Sequence, residues 1–397
     1  MHNFEYRQGE LYCEQVPISQ IAKEVGTPCY IYSHATLIRH IRAYDSAFKN
    51  IPHLIAFAMK ANSNLAVLRL MAKEGSGVDI VSGGELFRAL KAGVAPSKIV
   101  FAGVGKNADE IRDALKAGIL MFNIESSAEM HAINDVAASV GKIAPVALRI
   151  NPDIDPKTHP YISTGLKKSK FGIAADRAPE EFRVASTLRH IHVVGVHAHI
   201  GSQLTDVTPF VESLKKVLAL VDTLKGQGIN IRYLNIGGGL GITYSDEKPP
   251  LPHELADAVS PLVKGLDLTL VMEPGRVIVG NAGILVTKAL YEKIGESKRF
   301  IIVDAAMNDL IRPSLYSAYH EIRPVSEALL HRPKHPVDVV GPVCESGDFL
   351  AIGASMALRG DRLQSPVPLK VGSTIRCFSS AIGELTHQVV SSGGRRR

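Results

Sequence analysis

The chain has 397 residues, 46% of them apolar and 21% charged, with a formal net charge of +6. That length exceeds one small core and calls for two domains, and no apolar run reaches the roughly 18 residues that mark a membrane-spanning helix. The three terminal arginines supply half of the positive excess; without a basic stripe interleaved with aromatics, the charge suits small anionic ligands or phosphates rather than nucleic acid.

The first residues, MHNFEYRQGELYCEQVPI, mix charged and apolar side chains and contain no signal-peptide core. Cys13, Cys29, Cys344 and Cys377 are widely scattered, with no CxxC or metal-ligand spacing. That usage suits a reducing, cytoplasmic setting in which a working cysteine is a thiol, and it offers no metal site.

From residue 53 the sequence settles into a rhythm of short apolar run, polar or glycine-rich ending, and amphipathic stretch. The runs are HLIAFAMKAN, GVDIVSGGE, IVFAGVGK, LMFNIES, VALRINP, VVGVHAHIGSQ, YLNIGGGLG and LTLVMEPGR, eight candidate strands before residue 277. Intervening stretches such as GELFRALKAGV and NADEIRDALKAGI place apolar residues at helical spacing and close on glycine, the usual residue just past a helix. Eight such units read as a (β/α)8 barrel, here assigned to residues 33–276; a doubly wound sheet is the rival arrangement. One connection, DIDPKTHPYISTGLKKSKFGI, is much longer than the others, and loops of that length are often functional.

After residue 276 the segments VGNAGILVTKALYEKI, KRFIIVDAAMNDL and HPVDVVGPVCESGDFL are rich in Val and Ile, with few helical stretches between them. They read as a β-sandwich or barrel-like domain covering 277–397, and residues 1–32, with CYIYS, are assigned to the same domain.

In a barrel the active site gathers at the C-terminal ends of the strands. Here those ends carry Lys60, Asp79 and Ser82, Asn123 and Glu125, Arg149 and Asn151, His197 and His199 with Ser202, Gly237 to Gly239, then Glu273 and Arg276. Any one of these is explicable as a cap or loop residue, but a whole ring is not. Lys60 follows a buried run, which suits either a snorkelling lysine or an amine held ready to condense with an aldehyde. Glycines after the seventh strand let backbone N–H groups close on a phosphate, at the position where barrels often bind one. A lysine, a phosphate cradle and a carboxylate on one face point to pyridoxal phosphate. Lys60 would meet the aldehyde, Gly237, Gly238 and Gly239 the phosphate, and Glu273 the pyridine nitrogen, while His199 would stack on the ring.

These motifs resemble the diaminopimelate decarboxylases, pyridoxal-phosphate enzymes of the alanine-racemase-like fold class. The resemblance runs from about residue 5 to residue 350. It is carried by AMKANSN, VDIVSGGELFRAL, THPYISTGLKKSKFGI, HAHIGSQ, NIGGGLGI, EPGR, DAAMNDLIRPSLYSAYHEI and CESGDFLA. It implies decarboxylation of meso-diaminopimelate to L-lysine, with Lys60 as the cofactor lysine and His199 on the ring. Asp79, Ser202, Gly239, Glu273, Gly275 and Arg276 are implied cofactor contacts, with Arg276 also reaching a substrate carboxylate. Arg312 and Tyr316 are implied to grip the substrate, Cys344 to return a proton to the carbanion, and Glu345 to recognise the distal amino group. In this family Cys344 and Glu345 come from the partner subunit, which implies a homodimer. A homologue that binds the cofactor without turnover, and another decarboxylase or racemase on the same scaffold, are the rival readings.

Members of the family also carry a glycine-alanine-tyrosine-glycine stretch near the C-terminus. After Ala351 this chain has no tyrosine. Its Ser, Arg and Gly content and weak β alternation resemble out-of-frame translation, so residues 351–397 are expected to be atypical.

Overall fold

The computed structural model describes residues 2–154, 170–357, 374–379 and 383–388. By contacts the chain forms two units, one of residues 38–243 and 247–280, the other of residues 1–37, 244–246 and 281–397.

The larger unit is a closed barrel. Its eight parallel strands are His53–Ala58, Gly77–Ile80, Ile99–Phe101, Met121–Ile124, Ala144–Asn151, Ile191–His197, Tyr233–Asn235 and Thr269–Met272. Each pairs with the next, and the last returns to the first through Leu270 opposite His53. All eight fall on the apolar runs read from the sequence. A two-residue strand, Ile173–Ala174, adds outside the fifth, where the long connection rejoins the barrel. Inside, Ala56, Val100, Met121, Ala147, Val194 and Val271 come from six different strands and pack as one buried cluster. Small alanines join branched and long side chains in this cluster, the mix that lets a barrel interior pack densely.

The helices are set by local signals. Ser82 caps Gly83–Ala92 by accepting from the Glu85 N–H, and Gly93 ends that helix with a left-handed φ of 89°. Asn107 and Glu110 form a reciprocal capping box on Ala108–Ala117, which stops at Gly118 with φ 73°. These caps fix where each helix starts, and so how far each strand end projects at the barrel mouth.

The smaller unit is β-rich. A four-stranded sheet runs in the order Ala289–Ile294, Arg299–Val303, Lys334–Val340, Phe349–Ala357, with its central pair parallel. Ile301, Val303, Val337, Val339 and Leu350 bury its inner face. The N-terminal segment belongs here. Cys29–Tyr32 pairs antiparallel with Gly283–Val286, and Phe4, Leu11, Cys13 and Ile18 pack with Ile31 and Val286. Asp304 accepts from the Thr27 and Thr287 hydroxyls at 2.6 and 2.7 Å, holding the two ends of this unit together.

Within the stretch read as atypical, backbone strands Phe349–Ala357, Thr374–Ser379 and Gly383–Gln388 are present, the last two paired as a hairpin. The rest of the altered tail (358–373, 380–382, 389–397) lies outside the described residues, as do 155–169 of the long connection. Among the described residues, no helix is long and apolar enough to cross a membrane.

Candidate active site

The mouth of the barrel is polar and largely closed to water. Asp79, Asn123, Glu125, Arg149, His197, Asn235 and Glu273 all stand at strand ends and are buried. Buried charges survive only when paired or hydrogen-bonded, and the pairings here are specific.

Lys60 sits in a one-turn 3-10 helix, Met59–Ala61, directly after the first strand. Its Nζ donates to Asp79 Oδ2 at 3.3 Å; Asp79 is fully enclosed, whereas the lysine side chain keeps 53% of its exposure. Asp79 holds the Lys60 amine above the ordinary lysine range, with Glu273 adding to the effect against burial. The amine is thus a cation on an open rim, with its carboxylate beneath it.

Glu273 ends the eighth strand and is held from three sides. Asn235 Nδ2 and Asn123 Nδ2 donate to its Oε1 at 2.6 and 3.0 Å, and His197 Nε2 lies 3.5 Å from its Oε2. Burial pushes the Glu273 carboxyl up, but His197, Lys60 and the Asn235 hydrogen bond outweigh it and keep the group ionised. Asp79 goes the other way: burial and the Glu273 charge raise it to about 7, against the pull of Lys60. Two neighbouring carboxyls are therefore set apart by their surroundings, one held as an anion and one close to neutrality.

The glycine run after the seventh strand is there for lack of room. Gly237 has φ 68°, and a methyl there would sit 2.6 Å from His199 Nδ1; one on Gly238 would meet the Glu273 carbonyl oxygen at 2.1 Å, and one on Gly239 the Gly201 carbonyl oxygen at 2.4 Å. The Gly238 N–H donates to His199 Nδ1 at 3.3 Å, which leaves the ring proton on Nε2. Burial, with Arg149 and Lys60 nearby, holds His199 well below the ordinary imidazole range, so the ring is neutral. Gly275 packs 3.2 Å, by its would-be Cβ, from Ala58 and Ala61. Arg276 Nη2 donates to Ser202 Oγ at 3.2 Å. Lys60, Asp79, His199, Ser202, Gly237, Gly238, Gly239, Glu273, Gly275 and Arg276 thus all belong to the barrel unit.

A second buried pair braces the mouth. Arg149 Nη1 donates to Glu125 Oε1 at 3.0 Å, and Glu125 also accepts from the N–H groups of Gly103 and Gly172. The Arg149 guanidinium lies 4.7 Å from the Phe171 ring centroid. Nε and Nη2 of Arg149 and Oδ1 of Asp79 are buried with no hydrogen-bond partner among the described residues. Unsatisfied buried donors and acceptors in a cleft are a mark of a site built for another molecule. A primary amine at the rim, a neutral imidazole, a fixed carboxylate and a glycine-lined loop fit pyridoxal phosphate in residue type and placement.

The remaining predicted residues lie in the smaller unit. Arg312 and Tyr316 bound one short helix. Cys344 and Glu345 are exposed on the turn between Lys334–Val340 and Phe349–Ala357. Ser314 of the helix donates to the Gly347 carbonyl at 2.7 Å, so helix and turn are neighbours. Buried Asp348 pins the turn, accepting from the N–H groups of Val343 and Met307 at 2.8 and 2.6 Å. Asn235, His197 and Asp348 as holders of other residues are not visible in the sequence reading; the position of Asn235 and His197 at strand ends was the available signal.

Such a barrel and mouth define a class, the pyridoxal-dependent decarboxylases: residues 34–280 match the family model described as pyridoxal-dependent decarboxylase, pyridoxal binding domain. The chain is 52% identical to the diaminopimelate decarboxylase of Pseudomonas aeruginosa over 91% of its length and 87% of that protein. It is also 52% identical to that of Haemophilus influenzae, over 88% and 84%. The crystal structure of diaminopimelate decarboxylase from Helicobacter pylori complexed with L-lysine superposes with a TM-score of 0.81 at 45% identity, covering 88% of this chain and 86% of that one. The chain belongs to the diaminopimelate decarboxylase family.

Proposed function

We propose that this protein decarboxylates meso-2,6-diaminopimelate to L-lysine, using pyridoxal phosphate at the barrel mouth. The observation that carries the reading is the Lys60 amine paired with buried Asp79 beside an ionised Glu273, in a chain half identical to diaminopimelate decarboxylases over nine-tenths of its length.

When bound, pyridoxal phosphate supplies an electron sink for the pair left behind by departing CO2. Lys60 would hold its aldehyde end. Glu273, kept anionic by His197, Lys60 and the Asn235 hydrogen bond, would serve the ring nitrogen, and neutral His199, oriented by the Gly238 N–H, would serve the ring face. Gly237 to Gly239, Gly275, Ser202 and Arg276 would hold the phosphate end, since backbone N–H groups and a guanidinium suit an anion. Arg276, Arg312 and Tyr316 bind substrate carboxylates, and Glu345 binds the distal ammonium. Cys344 delivers a proton from Sγ to the carbon that lost CO2.

Cys344 and Glu345 stand exposed on their turn, and we assign them to the active site of the partner subunit in a homodimer. Domain limits at residues 33 and 276 and a cytoplasmic setting, suited to a working thiol, complete the reading.

The test is CO2 release by purified protein with added pyridoxal phosphate, from meso-diaminopimelate, lysine, ornithine and arginine in parallel. Release from diaminopimelate alone is expected, because a pocket built to pair buried charges rejects substrates that leave one unmatched. Equal release from lysine or ornithine, or none from diaminopimelate by folded protein, overturns it.

A further inference from the structure

Arg312 is held by two aromatic side chains that the proposed reaction does not use. Its guanidinium carbon lies 4.3 Å from the ring centroid of Tyr244. Its Nη1 lies 2.9 Å from His320 Nε2. The two rings meet edge to face, with centroids 5.5 Å apart and planes at 83°. Tyr244 comes from the segment after the seventh barrel strand, yet residues 244–246 group with the smaller unit that carries Arg312 and His320.

The chemistry of the contact fixes the state of the imidazole. A guanidinium has only donors, so the Arg312–His320 hydrogen bond requires a lone pair on Nε2. The ring is therefore neutral, with its proton on Nδ1. Tyr244 meanwhile covers one face of the guanidinium, a cation–π contact that also removes rotamers. A free arginine surrenders side-chain freedom when it is fixed, and fixing it beforehand is how a site avoids that loss on binding.

We propose that Tyr244 and His320 are positioning residues that pre-align Arg312 for a substrate carboxylate. This rests on the reading that Arg312 binds that carboxylate. His320 engages one nitrogen of the fork and Tyr244 its face, which together fix the plane of the guanidinium.

The test is a set of steady-state measurements on meso-diaminopimelate, with pyridoxal phosphate capture by borohydride checking that each variant folds. Arg312→Ala is expected to raise KM on the order of 100-fold. His320→Ala and Tyr244→Leu should each raise KM roughly 5- to 10-fold with kcat within about twofold, the pattern of lost uniform binding. His320→Gln, whose amide oxygen replaces Nε2 as acceptor, and Tyr244→Phe, which keeps the ring face, should stay near the parent KM. In the Arg312→Ala background, His320→Ala should add nothing, because the residue it positions is gone. An unchanged KM in both His320→Ala and Tyr244→Leu, or an undiminished His320→Ala effect in the Arg312→Ala background, overturns the inference and leaves the proposed reaction standing. An unchanged KM in Arg312→Ala overturns the carboxylate role itself and this inference with it. Should His320→Ala fail to fold, the Tyr244→Leu and Tyr244→Phe pair decides: equal KM values overturn the inference.

Discussion

Lys60 Nζ donates to Asp79 Oδ2 across 3.3 Å, and of the two side chains only the lysine reaches solvent. The carboxylate lies on the closed side of the amine and steers it without blocking it. Lys60→Ala should therefore fold, yet lose covalent capture of pyridoxal phosphate and all decarboxylation. Borohydride treatment followed by intact-mass measurement checks this; a retained cofactor mass in the variant would refute the assignment of Lys60.

Asp79 should make the stability of the cofactor-free protein fall with rising pH. Its folded value is about 7, against 3.8 as the ordinary value. Between those values the folded protein holds a proton that the unfolded chain has released, so stability declines from about pH 4 to about pH 7 and is level beyond. The gap between those two values corresponds to a loss on the order of 4 kcal/mol. Asp79→Asn cannot ionise, and its urea-unfolding free energy should vary less between pH 5 and pH 8 than the parent's. An equal pH dependence in the two proteins would contradict the assignment.

Gly238 has no room for a side chain. A methyl would sit 2.1 Å from the Glu273 carbonyl oxygen, and that segment is tied down because the Glu273 N–H donates to the Gly237 carbonyl at 2.8 Å. Gly238→Ala should lower stability by roughly 1–3 kcal/mol and weaken cofactor binding more, since the shift falls on Glu273 and His199 together. Thermal unfolding with and without pyridoxal phosphate separates the two effects.

The Glu125–Arg149 pair should behave asymmetrically. Glu125→Leu strands a buried guanidinium and should cost about 3–5 kcal/mol in urea unfolding. Adding Arg149→Met should recover part of that loss, because two apolar side chains replace two buried charges. Recovery stays incomplete, since Gly103 and Gly172 still lose an acceptor. Full additivity of the two costs would contradict the pairing.

If Cys344 works in the partner's site, two dead variants should rescue each other. Lys60→Ala and Cys344→Ala homodimers should be inactive or strongly impaired. Unfolded together and refolded, they form heterodimers in which one site keeps both residues; random assortment restores about a quarter of parental activity. No recovery would place both residues in one subunit.

How much of this was written locally is clear from particular residues. The eight barrel strands were legible because each is a short apolar run closed by a polar or glycine signal, and the helices between them carry their own caps at Ser82 and Asn107. Lys60, His199 and Glu273 were legible as strand-end residues. The support around them was not. Asn123 and Glu273 are 150 positions apart in sequence, and no periodicity records that they meet. Tyr244 follows the glycine run like any loop residue, and only the fold brings it to Arg312. Asp348 reads as one more turn aspartate until its two backbone donors are seen.

The pairing of Cys29–Tyr32 with Gly283–Val286 also bears on how the protein is made. Cys29–Tyr32 leaves the ribosome well before its partner, which is synthesised about 250 residues later. At 5–20 residues per second, that is a wait of roughly 10–50 s. Through it Phe4, Leu11, Ile18 and Ile31 lack the Val286 side of their cluster. Closing so long a flexible loop would cost about 5 kcal/mol, a cost that falls once the barrel between the strands has folded and shortened the search. The order of synthesis thus favours a barrel that forms first, with the pairing of Cys29–Tyr32 and Gly283–Val286 among the last contacts made.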